Sequence, residues 1–159
     1  MLYCKEGIVE KFESMPMYVW WDDNTRTTLF YLFKGEWTLT DISAALKQRT
    51  ALLDSVTHKV VTVVDLKGCF ALPDNVVSFA MGIASQKHPN LDRTVIVSPD
   101  PLMDVIQVVL RKIAVEFGAS MHFVKSLDEA YAFLAEYRRP WWDRPTLHAR
   151  PLSRRSLHT

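Results

Sequence analysis

The sequence predicts an α/β protein with a mixed, mostly parallel sheet of about five strands, in the order β-β-α-β-α-β-α-β-α. Three observations carry this. A β-branched run, Val60 to Val64, ends in a carboxylate, Asp65, the pattern of a buried strand reaching the ligand-facing end of an open sheet. Helical periodicity alternates with short apolar runs from Thr40 onward. An aromatic hairpin pattern precedes them, so the first strand is expected to be antiparallel, at or near an edge.

Each element has its own signal. Met17 to Trp21 is aromatic and β-branched, Asp22-Asp23-Asn24 is turn chemistry, and Thr27 to Phe33 is the returning strand. Thr38-Leu-Thr-Asp supplies an N-cap for a helix from about Thr40 to Leu53, striped by Ile42, Leu46, Leu52 and Leu53. Val60 to Asp65 is the third strand, and a loop is expected after it. Pro73-Asp74 then starts a helix carrying Val76, Val77, Phe79, Ala80, Ile83 and Ala84, which ends before His88-Pro89. Arg93 to Val97 is the fourth strand. Pro99-Asp100-Pro101 opens a helix through about Phe117, and Gly118 stops it. Met121 to Val124 is a short fifth strand. Ser126-Leu-Asp-Glu reads as a capping box with its acid at Glu129, opening Leu127 to Tyr137 before Pro140.

The chain has 159 residues, enough for one domain with a real core, and its formal net charge is +1. No apolar run approaches the ~20 residues a membrane span needs. Met1 to Pro16 lacks the apolar core of a secretory signal, so a cytoplasmic location is expected. Three parts are expected: an extension over 1–16, an α/β domain over 17–137 and a basic tail over 138–159. The tail holds six arginines against Asp143, while the body is mildly acidic and shows no nucleic-acid footprint. Cys4 and Cys69 share neither a metal spacing nor a disulfide pattern, and both read as inert thiols. No cofactor or metal is expected.

The segments Gly35-Glu36-Trp37-Thr38, Val64-Asp65-Leu66, His88 to Val97 and Ser126 to Ala130, in that order and spacing, cover about Met17 to Tyr137. With them the chain resembles the STAS fold of sulphate transporters and anti-sigma factor antagonists, and more closely a group of bacterial STAS-like proteins related to the sporulation anti-sigma antagonist. The resemblance implies a regulatory, non-catalytic binding domain. In phosphorylated STAS antagonists the loop after the third strand ends in Asp-Ser-Ser-Gly, and a serine there is phosphorylated by a partner kinase. Here the corresponding stretch is Pro73-Asp74-Asn75-Val76, and the first serine is Ser78, inside the helix. Asp74 instead places permanent negative charge at a helix N-terminus, either as a plain N-cap or as a charged surface. The expected protein-binding surface is the loop and helix start at 65–78, with Asp65, Lys67, Asp74, Asn75 and Ser78 as contacts.

The same superfamily shape includes CRAL-TRIO lipid carriers, so the alternative is a carrier or sensor of a lipid or other small apolar ligand. Phe79, Met81, Ile83 and Met103 would line its pocket, under a helix rich in small residues. A third reading is an aspartate phospho-receiver, with Asp22 and Asp23 for Mg²⁺, Asp65 as acceptor, Ser98 as the hydroxyl and Lys125 as the lysine. The aromatic crowding of Thr27 to Phe33 argues against it, because receivers need a helix there. Hydrolase and nucleotide-loop motifs are absent from the sequence, and the five histidines are scattered. Trp20, Trp21, Phe30, Tyr31, Phe33 and Trp37 alternate onto both faces of the hairpin, to be covered by helices and termini or by a second copy in a homo-oligomer. Trp141 and Trp142 are the expected anchors of the tail.

Overall fold

A computed structural model describes residues 16–69, 88–113 and 120–140. These hold five strands and three helices. In chain order they are β1 (Met17–Trp21), β2 (Thr28–Gly35), α1 (Leu39–Asp54), β3 (Val60–Cys69), β4 (Leu91–Val97), α2 (Leu102–Ile113), β5 (Met121–Val124) and α3 (Leu127–Arg138). The strands form one sheet in sequential order, β1 to β5. β1 is antiparallel to β2 at one edge, and the remaining pairs are parallel. The sequence expectation of a mixed sheet with an antiparallel edge strand holds. The helix expected after Asp74 lies outside the described residues, as do 114–119 at the far end of the α2 pattern.

The alternation along each strand assigns the helices to faces. Val60 and Val64 point to the α1 side, where Leu29, Tyr31, Ile42, Ala45 and Leu53 make one core cluster. Val61 and Val63 point the other way, onto Ala130 and Leu134 of α3. Ile96 and Met121 pack on Met103 and Ile106 of α2, and Val64 and Leu66 also pack there, so α1 and α2 share a face. The hairpin aromatics divide the same way. Trp21, Phe33 and Trp37 pack on the α1 cluster, while Trp20 tilts onto Phe30 at 4.8 Å on the α3 side and stays partly exposed.

Local hydrogen bonds fix the ends of these elements. Thr38 and Asp41 form a reciprocal capping box on α1, and the bonds from Thr38 hold the Asp41 carboxyl below its usual range. On α3 the box is displaced. Ser126 Oγ accepts from the Glu129 N–H, but the Glu129 carboxylate accepts from the N–H of Lys125, one residue earlier than expected. Asn90 clamps the C-terminus of α1, its amide donating to the carbonyls of Leu53 and Val56 at 3.0 and 2.8 Å. His88 supports this turn, facing Asp54 through Nε2 at 3.0 Å while Nδ1 accepts from the Asn90 N–H.

The β1–β2 turn is organised by Asp23. Its carboxylate accepts from the N–H and hydroxyl of Thr27, both at 2.8 Å, and from Thr25 Oγ1 at 2.9 Å, while Arg26 takes a left-handed φ of 56°. Partial burial raises the Asp23 pKa, but bonds from Thr27, Thr28 and Thr25 outweigh it and hold it at about 2, against 3.8 for a free carboxyl. The folded value is the lower one, so this stabilisation is complete above pH 3.8 and is lost as pH falls toward 2. Asp23→Asn should cost about 1 kcal/mol at neutral pH, after allowing for the turn's exposure to solvent. Urea melts between pH 2 and 7 should show the gap between wild type and variant closing below pH 4.

Candidate functional site

The parallel strands β2 to β5 bring their C-terminal ends together, the edge where open sheets place their sites. The third strand does not end at Asp65; β3 continues through Leu66, Lys67 and Gly68 to Cys69. β2 pairs Leu32 with Asp65, then Lys34 with Gly68, so Leu66 and Lys67 together oppose Phe33. This is a bulge, and a bulge interrupts the hydrogen-bond ladder.

Asp65 serves that irregularity. Its side chain falls in the row Leu32, Asp65, Val97, Val124 on the α3 side of the sheet. It is buried, 6% exposed, and Oδ1 accepts from the N–H of Lys67 at 2.9 Å. The sequence reading of Asp65 as a surface contact is therefore corrected: the carboxylate is an internal brace for the bulged strand. Lys67, its neighbour in the same reading, is exposed. Gly68 sits so close to β2 that a Cβ there would lie 2.8 Å from the Phe33 carbonyl oxygen. Cys69 is half-buried and accepts from Trp37 Nε1 at 3.4 Å. Burial pushes its thiol pKa up, the Trp37 bond opposes this, and the charge of Asp65 adds to the rise. That suits an inert thiol.

The neighbouring strand ends behave similarly. Ser98 is buried, its Oγ accepting from the N–H of Asp100 at 3.3 Å. Lys125 pairs with Asp104 of α2 at 2.7 Å. The acidic pair of the receiver reading lies elsewhere. The N–H of Asp22 donates to the Thr28 carbonyl, and Thr28 pairs with Val61 at the start of β3. Asp22 and Asp23 are thus about four residues, roughly 13 Å, along the strands from Asp65. Asp23 is engaged within its turn, and Asp22 Oδ2 accepts from Tyr131 of α3 at 2.9 Å. Burial raises the Tyr131 pKa, and the bond to Asp22 raises it further.

Met103, expected beside a ligand pocket, is 5% exposed and packs in the core with Ile96, Ile106 and Met121. Asp74, Asn75, Ser78, Phe79, Met81, Ile83, Trp141 and Trp142 lie outside the described residues. Among the described residues, no group of three or more His, Cys, Asp and Glu side chains is placed to hold a metal ion. None of the described helices is long and apolar enough to cross a membrane.

Sequence reasoning passed over a set of interior polar residues. Arg49, Tyr31 and Thr62 are buried on or against the α1 side of the sheet. A signal existed: Arg49 falls on the same helical stripe as Ile42, Ala45, Leu46, Leu52 and Leu53, where a charge is out of place. On the other face His122 stacks on Phe133 at 3.9 Å, and Arg93 lies 4.8 Å over the Tyr137 ring. Burial, then the charges of Arg93 and Arg111, push the His122 pKa down.

No family model matches the chain, and no curated protein matches it.

Proposed function

We propose that the chain is a non-catalytic regulatory binding module of STAS type, which recognises a protein partner through the segment 65–78. A bacterial, cytoplasmic setting belongs to the same reading. The division of labour at the bulged end of β3 supports it best. Asp65 is turned inward onto the backbone, and Lys67 is turned outward. A rigid strand end with an exposed cation is suited to contact rather than to chemistry. The surrounding rim is polar and accessible, with Pro99, Asp100 and Pro101 exposed and Lys125 and Asp104 paired at the surface. Such rims fix register and orientation between proteins more than they supply affinity.

Charge reversal at Lys67 tests this reading. The bond to Asp65 uses the backbone of residue 67, so Lys67→Glu keeps it, and stability should stay within about 0.5 kcal/mol of wild type. A partner identified by quantitative capture and reconstituted from purified components should bind Lys67→Glu at least tenfold more weakly. If every captured protein binds wild type and variant equally, this surface is not the recognition site.

A further inference from the structure

β3 outruns β4 at the edge where the segment 65–78 begins. Its last pair with β4 joins Asp65 to Val97, whereas its pairing with β2 goes on to Gly68 and Cys69. The Val60 N–H donates to the Asn90 carbonyl and the Val61 N–H to the Thr27 carbonyl. Up to the bulge, therefore, even-numbered residues of β3 turn their backbone groups toward β4. Continued past Val97, that ladder would bond the Leu66 carbonyl to the N–H of residue 99. Residue 99 is proline and has no N–H. Ser98 has meanwhile turned to β5, its N–H donating to the Val124 carbonyl at 3.0 Å. Beyond the bulge Gly68 faces β2 opposite Lys34, so the backbone of Cys69 faces the side that β4 has left. Among the described residues no strand pairs with β3 there. Lys67 and Gly68 are both exposed, and the surface of a glycine is its backbone.

The Leu66 carbonyl and the Cys69 N–H lie roughly 10 Å apart along the strand. An extended peptide carries the complementary N–H and carbonyl at that spacing. A bare edge accepts strands with little choice, but a charged side chain on it selects among them. Lys67 stands between the two backbone groups, where an opposite charge across from it is favoured and a like charge is not. We infer that the 66–69 end of β3 receives an extended segment of the partner protein as an added strand, with an acidic residue set against Lys67. This rests on the surface reading above and names how that surface binds.

Random seven-residue peptides displayed on phage are selected against the purified full-length chain. The enriched peptides should alternate β-branched residues and carry an Asp or Glu. Each is synthesised as selected and with either alternate set of its backbone nitrogens methylated, which removes donors and keeps every side chain. One methylated set should bind at least tenfold more weakly and the other nearly as well as the parent, the period-two signature of a strand. Binding should slow hydrogen exchange at the Cys69 amide at least tenfold and leave the Lys67 amide, already bonded to Asp65, unchanged. Lys67→Glu should weaken the peptides at least tenfold. If Lys67→Glu weakens them but neither methylated set does, and Cys69 exchange is unchanged, the surface reading stands and strand addition is overturned. If Lys67→Glu and both methylated sets bind like their parents, the two readings fall together. The proposal is also overturned if no peptide is enriched, or if the chain alone forms a dimer that protects the Cys69 amide.

Discussion

Leu53→Ala should destabilise the protein by about 3 kcal/mol and lower its melting temperature by roughly 10 °C. Leu53 is fully buried on the last turn of α1, in one cluster with Leu29, Ile42, Ala45 and Val60. Its truncation removes apolar contacts and leaves a cavity. The backbone there cannot drift inward to fill it, because the Leu53 carbonyl is tied to Asn90. That clamp puts the expected cost in the middle of the range for leucine truncations rather than at its low end. Val108→Ala is the matched control. Val108 is 52% exposed on α2, and its truncation should change stability by less than about 0.5 kcal/mol. Differential scanning calorimetry of the three proteins decides the point. Equal melting temperatures would mean the α1 cluster is not the core described above.

Gly68→Ala should cost about 2 kcal/mol, although residue 68 is exposed. The reason is close approach, since the new Cβ would meet the Phe33 carbonyl at 2.8 Å and both groups are backbone. One strand must yield, and the bulge braced by Asp65 is where it will yield. The effect should therefore exceed a stability loss. The strand end should move, and hydrogen exchange at the Lys67 amide should rise in Gly68→Ala even under conditions where the protein stays folded. Unchanged exchange at Lys67 would show that bulge and brace are independent.

The parts of this fold that were legible in the sequence are those whose signals are local. β5 begins and ends where Met121 to Val124 predicts, and α1 follows its Thr38 cap. The antiparallel edge followed from turn residues between two aromatic runs. The continuation of β3 was not legible. Lys67 and Gly68 have low strand propensity, and only the pairing of Gly68 and Cys69 with Lys34 and Gly35 beyond the bulge carries the strand through them. Leu91 and Asp92 join β4 for the same reason, through Val60 pairing with Leu91. Asp65 was readable as a strand-terminal aspartate bonding a nearby amide, but its depth was not, because burial depends on which neighbours the sheet order supplies. The interior trio was hidden more deeply. Arg49, Tyr31 and Thr62 are distant in sequence, and only the stacking of α1 on β2 and β3 brings them near one another.

β1 is the first strand of the sheet and runs antiparallel to β2. Pro16 accepts from the N–H of Lys34, and Asp22 donates to Thr28, so the residues bonded to β2 are the even-numbered ones. Met17, Val19 and Trp21 turn their backbone groups outward, toward the side of β1 on which none of the described strands lies. A row of backbone groups at a sheet edge is a template on which a second chain can add a strand, and through repetition can seed aggregates. Gln48 of α1 reaches over that side and donates to the Val19 carbonyl at 2.9 Å. A single amide from the helix thereby occupies the middle of the row, and an incoming strand would have to displace it before it could dock.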